Sequence, residues 1–385
     1  MIDLKSYSSF EPILEHFEKF DFQDYLDKVS DKDIINSINR DNLDEFDFLN
    51  LLSPKAQNHL EMMAKISQKN YIRHFGRTIG LYIPIYISNY CSSDCAYCGF
   101  SKKNKIVRKH LTKDEIEKEA KEIAKTGIKH ILLLTGESKK MANLEYLLDA
   151  VEILKRYFSS VSIEIYPMET NEYRVLKKAG VDALTVYQEV YDRKIYKEVH
   201  TSGEKSNFLY RLNTPERGAK AGFRAISIGS LFGLGEIRSE AFFSGLHAKY
   251  LMDKYLECEI SLSLPRINHA EGDFRPKYSL DDKTFLQIML AYRIYMPMIG
   301  INISTRERAD FRDNLIGLGV TKLSAGSKTD VGGYEGKDVS TAQFDISDDR
   351  SVKEIVKAIK HRGYQPVFKD WMVEIGAGEE RGSEE

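Results

Sequence analysis

The chain has 385 residues, enough for one large barrel with added elements or for two domains, and its formal net charge of −2 offers no overall basic field for nucleic acid. Its longest apolar run, around residues 81–87, is too short to span a membrane, and its N-terminus lacks the basic and apolar segments of a secretory signal. Four cysteines are too few for a disulfide scaffold, so we expect a cytoplasmic globular protein that binds neither nucleic acid nor membrane.

Residues 1–78 form the first predicted unit, a helical extension. Residues 1–50 carry 13 acidic and 5 basic side chains, a local net charge of −8, which we interpret as a solvated outer face. The apolar residues there recur at helical spacing, and a second apolar series does so after the Ser53-Pro54 start signal. The two series are Ile13, Leu14, Phe17, Phe20, Tyr25 and Leu26, followed by Leu51, Leu52, Ala56, Leu60, Met63 and Ile66.

From residue 80 onward, short runs rich in β-branched residues alternate with amphipathic stretches of helical length. The eight predicted strands are LYIPIYIS (81–88), HILLLT (130–135), VSIEIY (161–166), DALTVY (182–187), RAISIG (224–229), EISLSL (259–264), IGINIS (299–304) and TKLSAG (321–326). The helical patterns between them are 112–126, 144–158, 169–178, 240–256, 280–295 and 306–318. Several helices stop at a glycine just before the next strand, at Gly127, Gly180, Gly222 and Gly319.

Eight mostly apolar strands that alternate with helices predict an α/β fold with a parallel sheet buried on both faces. A closed (β/α)8 TIM-type barrel fits this pattern best, with an open doubly wound sheet as the structural alternative. We assign residues 79–371 to the barrel and its C-terminal helices, and the polar, glycine-rich residues 372–385 to a flexible tail. In either architecture the active site is expected at the C-terminal ends of the strands.

Three of the four cysteines lie in one loop after the first predicted strand. Cys91, Cys95 and Cys98 form a CxxxCxxC motif, whereas Cys258 is distant and is interpreted as a buried apolar side chain. Thiolates suit zinc or iron–sulfur, but a structural zinc would need a fourth Cys or His, and the loop contains no His. Three thiolates on a [4Fe–4S] cluster leave one iron open to another ligand. A structural zinc site and an electron-carrying iron–sulfur protein are the alternatives to an enzyme.

The cysteine motif, with Tyr97 before its last cysteine, resembles the signature of the radical S-adenosylmethionine (SAM) family. The resemblance implies a [4Fe–4S] cluster on the three cysteines and SAM as the second cofactor, with Tyr97 beside it. In that family the open iron chelates the amine and carboxylate of SAM. One-electron reduction then cleaves SAM to methionine and a 5′-deoxyadenosyl radical, which takes a hydrogen atom from the substrate.

Other predicted strand ends match the same family in barrel order. The second strand ends in Thr135-Gly136-Glu137, similar to the family's Gly-Gly-Glu motif at the SAM amino group, with Thr in place of the first Gly. Further matches imply a ribose contact by Gln188 and Glu189, a SAM carboxylate contact by Arg211, and an adenine contact through Gly229 and Gly233. Each feature alone is more often structural, whereas the whole series behind the cysteine motif indicates a SAM site.

Several longer blocks resemble the aromatic-amino-acid lyase branch of this family, and within it the tyrosine lyases (2-iminoacetate synthases) of thiazole biosynthesis. The blocks, between about residues 51 and 371, include CAYCGF, LLLTGE, VYQEVY, LSLPR, STRER, SAGSKTDVGGY and FKDW. The resemblance implies hydrogen abstraction from the amine of L-tyrosine and cleavage at Cα–Cβ to 2-iminoacetate (dehydroglycine) and p-cresol, for the thiazole moiety of thiamine. It also implies a complex with thiazole synthase, because the imine hydrolyses in water.

An amino-acid substrate needs a cation for its carboxylate, and the planar fork of arginine supplies two hydrogen bonds. Arg306 follows the seventh predicted strand and Ser324 ends the eighth, both at the catalytic end. Relatives use the corresponding Arg and Ser to hold the substrate, so both are predicted catalytic residues. The structural alternative for Arg306 is a salt bridge at the start of a helix.

Two related activities stay open from the sequence. The tyrosine lyase that makes carbon monoxide and cyanide for hydrogenase maturation resembles the chain over the barrel, including residues 331–334. That enzyme carries C-terminal cysteines for a second cluster, whereas this sequence has none after Cys258 and favours the thiazole branch. A tryptophan lyase of antibiotic biosynthesis also shares the barrel motifs.

The segment at 101–110, SKKNKIVRKH, has five Lys or Arg residues and no acid. A solvated loop is the simpler interpretation of this segment. The functional alternative is a docking site for an acidic electron donor, flavodoxin or ferredoxin, favoured by charge steering. Trp371, the only tryptophan, is expected to pack the last helix against the barrel.

Overall fold

The fold is that of a computed structural model, which describes residues 2–336 and 340–369. The helices are α1 (Glu11–Glu18), α2 (Phe22–Lys28), α3 (Asp31–Asn39), α4 (Glu45–Leu52), α5 (Leu60–Phe75), α6 (Lys113–Ala124), α7 (Leu144–Lys155), α8 (Thr170–Ala179), α9 (Arg193–Val199), α10 (Phe208–Leu212), α11 (Thr214–Ala221), α12 (Ile237–Lys254), α13 (Asp282–Tyr295), α14 (Ala309–Leu315) and α15 (Val352–His361). The strands are β1 (Thr78–Ser88), β2 (Asp94–Cys95), β3 (His130–Thr135), β4 (Ser160–Glu164), β5 (Ala183–Thr185), β6 (His200–Ser202), β7 (Ala225–Ile228), β8 (Glu259–Ser263), β9 (Gly300–Ile303), β10 (Lys322–Ser324) and β11 (Gln365–Val367). The tail predicted at 372–385 and Trp371 lie outside these residues.

Eight parallel strands close into a barrel. Their order around the ring is β1, β3, β4, β5, β7, β8, β9 and β10, and β10 pairs back with β1, which sets Tyr82 beside Ser324. Each of the eight predicted runs overlaps one of these strands, so the predicted barrel is confirmed and the open sheet is excluded. Gly180 and Gly222 end α8 and α11 in the left-handed conformation that glycine adopts at low cost.

The N-terminal helices pack on the helices that follow β7 and β8. Phe48 of α4 stacks on Tyr295 of α13, with ring centroids 4.5 Å apart. Gln287 of α13 donates hydrogen bonds to the carbonyls of Leu51 and Ser53 at 2.8 and 2.7 Å, which satisfies the buried end of α4. The extension therefore covers the outside of the barrel and leaves its mouth to other segments.

The structure adds two short strand pairings that the sequence did not predict, and one helix is shorter than predicted. β2 pairs antiparallel with β6, which ties the cysteine loop to the segment after α9, and β11 adds to β1 outside the ring. The helix predicted at 306–318 begins only at Ala309, so Arg306 lies in the preceding turn and the helix-start alternative for it is wrong. No helix in the two described ranges is both long and apolar enough to cross a bilayer.

Candidate active site

A deep cavity opens at the C-terminal ends of the barrel strands. It encloses about 1370 Å³ of space between atoms, part of it open to solvent. The predicted site residues that line it are Cys91, Cys95, Tyr97, Cys98, Thr135, Gly136, Glu137, Glu189, Arg211, Arg306 and Ser324. The cavity therefore brings residues more than 200 positions apart in the chain to one place, as expected for the catalytic end of such a barrel.

The cysteine loop forms one side of the cavity, and its three thiols are free. Asp94 holds the loop, since its carboxylate accepts hydrogen bonds from Ser101 Oγ at 3.0 Å and Thr201 Oγ1 at 2.7 Å. The Ser92 amide donates to the carbonyl of Glu137 at 2.8 Å, which joins this loop to the one after β3. Backbone and side-chain hydrogen bonds thus fix the loop before any ligand binds.

The thiols fit an iron–sulfur cluster better than a single metal ion. In the parts of the chain that the structure describes, no three His, Cys, Asp or Glu side chains are arranged to hold one metal ion. A structural zinc needs its ligands on one atom, whereas a cluster can ligate each thiolate through a different iron and so tolerates wider spacing. Gln343 Nε2 also donates to Cys98 Sγ at 3.8 Å, a contact of the type that tunes cluster ligands.

The loop after β3 presents polar atoms without protein partners. Thr135 Oγ1 and Glu137 Oε2 are buried and make no hydrogen bond to any residue in the described ranges. Because such atoms cost free energy, they indicate a ligand that completes their hydrogen bonds. A Cβ at Gly136 would lie 2.4 Å from the carbonyl oxygen of Tyr90, so this position needs glycine, whereas Thr fits at the position before it.

Four buried charges form a network beside these atoms. Arg211 Nη1 donates to Glu137 Oε1 at 2.8 Å, and Lys205 Nζ donates to Glu189 Oε1 at 2.7 Å. Arg211 and Glu189 are also 3.7 Å apart, and Lys205 and Glu137 are 3.9 Å apart. Three of these four residues are predicted from the sequence. Lys205 is not, because it sits in a short 3-10 turn and belongs to no recognised motif.

The Glu189 backbone is strained, with φ +73°, a left-handed conformation that costs about 1–3 kcal/mol for a residue other than glycine. Burial alone would raise the pKa of its carboxyl, but the Lys205 and Arg211 charges hold that pKa below its usual value. Glu240 supports the strained turn, since its Oε2 accepts from the Tyr191 amide at 2.8 Å. Glu189 is therefore an ionised acceptor held in one orientation.

Replacing Lys205 with alanine is expected to lower the free energy of unfolding by about 3–5 kcal/mol, because the buried Glu189 carboxylate loses its closest partner. Lys139→Ala is the matched control, since Lys139 pairs with Glu204 at 3.2 Å at the surface, where a pair contributes about 0–1 kcal/mol. Urea unfolding of both variants checks this. Equal losses in the two variants would show that the buried pair contributes no special stability.

Arg306 enters the cavity from the turn between β9 and α14. Its guanidinium carbon lies 3.3 Å from the centroid of the Phe344 ring, and its Nη1 donates to the Arg266 carbonyl at 3.4 Å. Burial lowers the pKa of Arg306, and no carboxylate in the described residues forms an ion pair with it. Ser324 Oγ lies nearby and accepts from the Thr305 amide at 3.0 Å. A partly buried guanidinium without an anion, next to a hydroxyl, is a suitable site for a carboxylate.

Of two further predicted cofactor residues, Tyr97 lies in the cavity wall and Gln188 does not. Tyr97 lines the cavity, and its hydroxyl is hydrogen-bonded to His200 Nε2 at 2.8 Å, so the ring is fixed rather than free to follow a ligand. Gln188 is buried but is not part of the cavity wall. Both atoms of its side-chain amide lack a partner in the described residues.

The two glycines predicted to meet adenine do not line the cavity. A Cβ at Gly229 would lie 2.3 Å from the carbonyl oxygen of Ser263, and Gly233 has φ +121°. Gly229 is needed because a side chain would collide with the neighbouring backbone, and Gly233 because of its positive φ. The cavity wall between them is supplied by Leu231 instead.

Several residues of the cavity wall were not predicted. Tyr82 and Tyr86 face it from alternate positions of β1, Glu164 ends β4, and Gln343 comes from the segment after β10. Tyr86 donates its hydroxyl proton to Gln343 Oε1 at 2.8 Å. The available signal was a lone acid, Glu164, in the otherwise apolar run VSIEIY. Gln343 carried no signal, because only the fold brings it to the cysteine loop.

The basic segment 101–110 is partly built into the fold. Arg108 Nη1 donates to the carbonyls of Asn89 and Phe100 at 2.6 and 2.8 Å, and Lys103 pairs with Asp94 at 2.5 Å. The side chains of Lys102 and Lys105 are exposed beside the cysteine loop. The solvated-loop interpretation therefore describes only some of these residues.

Comparison with known families matches the two halves of the chain separately. Residues 85–241 match the Radical SAM superfamily, and residues 263–365 match the Biotin and Thiamin Synthesis associated domain. The chain is 35% identical to the 2-iminoacetate synthase of Escherichia coli (strain K12), over 95% of this chain and 98% of that protein. It is 36% identical to the 2-iminoacetate synthase of Salmonella typhimurium (strain LT2), over 88% of this chain and 90% of that protein.

Solved structures show the same architecture. The FeFe-hydrogenase maturase HydG from Carboxydothermus hydrogenoformans superposes with a TM-score of 0.86 at 30% identity, covering 94% of this chain and 86% of that chain. Another crystal structure of the HydG maturase gives a TM-score of 0.82 at 28% identity, covering 95% and 81% of the two chains. Methylornithine synthase (PylB), at 22% identity and a TM-score of 0.68 over 87% and 97%, shares the fold.

Proposed function

Because the chain belongs to the radical SAM superfamily and, within it, to the family of the 2-iminoacetate synthases, we propose that it is a carbon–carbon lyase acting on L-tyrosine. The bond cleaved is Cα–Cβ, and the products are 2-iminoacetate and p-cresol, with SAM ending as 5′-deoxyadenosine and methionine. The observation that carries the proposal is one cavity whose wall holds both the three free thiols and the partly buried Arg306, which has no ion-pair partner in the described residues. The 2-iminoacetate is used for the thiazole moiety of thiamine.

Enzymes of this family use a [4Fe–4S] cluster and SAM, and the residues present fit both groups. In the proposal Cys91, Cys95 and Cys98 hold the cluster, while the unpartnered atoms of Thr135 and Glu137 receive the amino group of SAM. When bound, the two groups supply one-electron chemistry that removes a hydrogen atom from the substrate. The chain positions them and keeps water out of the reacting space.

The charge network orients the remaining polar groups of SAM. Glu189 is proposed to receive the ribose hydroxyls, and Lys205 and Arg211 keep its carboxylate ionised and in place. Arg211 Nε and Nη1 donate hydrogen bonds to Tyr187 and Glu137, whereas Nη2 lies 3.7 Å from Glu189 Oε1, too far for a hydrogen bond. Nη2 is therefore the atom proposed for the SAM carboxylate. Gln188, Gly229 and Gly233 do not line the cavity, so their proposed role is to fix the course of the backbone that carries the residues of this site.

The substrate occupies the other half of the cavity. Arg306 binds its carboxylate, assisted by the hydroxyl of Ser324, and the stacking of the guanidinium on Phe344 fixes the direction of the fork. Three tyrosine rings, Tyr82, Tyr86 and Tyr187, line the space next to these groups. An aromatic amino acid bound in this way presents its amine toward the half that holds the cofactors.

The related activities are distinguished by the products. The HydG structures also match this chain, so the proposed thiazole branch rests on the relatives of nearly equal length named 2-iminoacetate synthase. Anaerobic protein reconstituted with iron and sulfide is given SAM, dithionite and L-tyrosine. Equal amounts of 5′-deoxyadenosine and p-cresol, with glyoxylate from imine hydrolysis and no cyanide, support the proposal. Turnover of L-tryptophan in place of tyrosine would overturn it.

The proposed reaction also needs partners and a reducing compartment such as the cytoplasm. The imine product hydrolyses in water, so we include thiazole synthase as the protein that receives it. Flavodoxin or ferredoxin is the proposed source of electrons, with the exposed Lys102 and Lys105 beside the cysteine loop as part of the docking surface.

Charge reversal tests the docking surface. Replacing Lys102, Lys103 and Lys105 with glutamate is expected to raise severalfold the flavodoxin concentration needed for half-maximal turnover, because charge steering is reversed. Lys103→Glu alone is the control for loss of the pair with Asp94. Turnover with dithionite should be unchanged. An equal loss with both reductants would assign the effect to the cysteine loop and not to docking.

A further inference from the structure

Glu164 is the carboxyl at the end of β4, and it lines the cavity. In the ring of eight strands β4 lies between β3 and β5, which lead to Glu137 and Glu189. β9, which leads to Arg306, is four strands away on the opposite side of the barrel. Glu164 thus faces Arg306 from the side of the barrel on which SAM is proposed to bind.

The Glu164 carboxyl has no protein partner. No residue in the described ranges makes a hydrogen bond or an ion pair with it, and only burial and more distant charges act on it. The charged and titratable groups that face it are Glu189, Lys205, Arg211, Arg306, Tyr82, Tyr86 and Tyr187. The Glu164 carboxyl is partly buried and opens into the cavity, so a ligand bound there can reach it and become its partner.

The proposed substrate carries a group that fits this position. The nitrogen of an amino acid at neutral pH is an ammonium, which has no lone pair, whereas the imine nitrogen of the proposed product is uncharged. A proton must therefore leave the nitrogen during the reaction. With its carboxylate on Arg306, the nitrogen must face the cofactor half, because hydrogen abstraction is proposed to occur there, and Glu164 is the unpaired carboxyl on that side.

We propose that Glu164 binds the ammonium group of the substrate and accepts its proton as the catalytic base. One N–H bond breaks and one O–H bond forms on the carboxylate, leaving a neutral amine and a neutral carboxyl, with no change in electron count. The proton leaves Glu164 for solvent after the products depart. This inference rests on the proposed function, since it needs an amino-acid substrate in the cavity.

The protonation behaviour of the carboxyl supports this role. Burial, with a further contribution from the Glu189 charge, raises the pKa of Glu164 to about 7. A base with a pKa near the working pH is efficient because it is available unprotonated and still binds a proton well. Below this pH the carboxyl is already protonated and cannot accept a proton, so the reaction slows as the pH falls.

A pH profile of Glu164→Gln tests the inference. In the natural protein, kcat/KM for tyrosine is expected to fall as the pH drops below about 7 and to level off above it. In Glu164→Gln this step should be lost, and kcat/KM should keep rising toward the pKa of the free substrate amine. Glu145→Gln, an exposed carboxyl on α7, is the matched control and should keep the natural profile. A natural profile in Glu164→Gln would overturn the inference.

Binding gives a readout that does not depend on turnover. With SAM present and no reductant, the natural protein should bind tyrosine more tightly than 3-(4-hydroxyphenyl)propanoate, which lacks the amine. Glu164→Gln should reduce that preference about tenfold. A preference unchanged by the substitution contradicts the inference, as does a loss of discrimination between tyrosine and phenylalanine instead, which would place Glu164 at the phenol. If the natural protein cleaves no tyrosine at all, the proposed function is wrong. If the natural protein cleaves tyrosine but Glu164→Gln behaves like it, only the role of Glu164 is wrong.

Discussion

Protein with Cys98 replaced by alanine should be colourless after anaerobic reconstitution and should form no 5′-deoxyadenosine from SAM, with or without tyrosine. The thiol of Cys98 lies on the cavity wall with those of Cys91 and Cys95, and it accepts a hydrogen bond from Gln343. Loss of one of three thiolates leaves the cluster with too few protein ligands to be held at this loop. Iron and sulfide content and the visible spectrum measure the cluster, and mass spectrometry measures 5′-deoxyadenosine.

Cys258→Ala is the matched control for this variant. Cys258 lies at the other end of the barrel strands, before β8, and is half-buried, not buried as predicted from the sequence. Within the described residues its thiol donates only a weak hydrogen bond, to the Glu259 carbonyl. This variant should keep its brown colour and its full activity. Retention of an intact, active cluster in Cys98→Ala would contradict the assignment of the cysteine motif, whereas loss in both variants would point to general damage during reconstitution.

Replacing Arg306 with glutamine should lower kcat/KM for tyrosine by roughly 30-fold to several thousand-fold, because losing one partner of a buried charge pair costs about 2–5 kcal/mol. The guanidinium is partly buried against Phe344 and has no anion of its own in the described residues, so its proposed partner is the substrate carboxylate. SAM binding should be nearly unchanged, since Arg306 makes no hydrogen bond or ion pair with the proposed SAM residues Glu137 and Glu189. Tyrosine titrations of initial rate, with SAM affinity measured separately, check both statements.

Arg308→Gln is the control for charge removal near this turn. Arg308 lies two residues further along and is exposed, with its guanidinium on Asp282 at 2.7 Å and Asp310 at 3.0 Å. Its loss should change kcat/KM by less than about twofold, as expected for a surface pair. A similar loss in both variants, or equal weakening of SAM and tyrosine binding in Arg306→Gln, would contradict the role of Arg306 at the substrate carboxylate.

The barrel could be predicted because its signals are local. The runs HILLLT and RAISIG are strands in the structure, since an apolar β-branched run buried on both faces carries its own pattern. The glycines that end the helices mark the left-handed turns before the next strands. The cysteine motif and Thr135-Gly136-Glu137 lie after such strands, so barrel geometry places them together.

The rest of the site depends on packing between distant segments. Lys205 reaches Glu189 because β6 pairs with β2. These strands have only three and two residues, too few for a periodic pattern in the sequence to reveal them. Gln343 meets the cysteine loop across 245 positions of sequence. Gly229 and Gly233 are predicted adenine contacts because both positions carry glycine. In the structure glycine is needed at both positions for the backbone conformation, and neither residue lines the cavity.

The most direct test of the proposed function is the fate of two carbon atoms of L-tyrosine. Tyrosine labelled with ¹³C at Cα, and separately at Cβ, is turned over anaerobically with SAM and dithionite, and the products are resolved by mass. Cleavage at Cα–Cβ predicts the Cα label in glyoxylate and the Cβ label in the methyl group of p-cresol, in amounts equal to 5′-deoxyadenosine. Label from Cα in cyanide, or 5′-deoxyadenosine formed without labelled p-cresol by protein that holds its cluster, would contradict it.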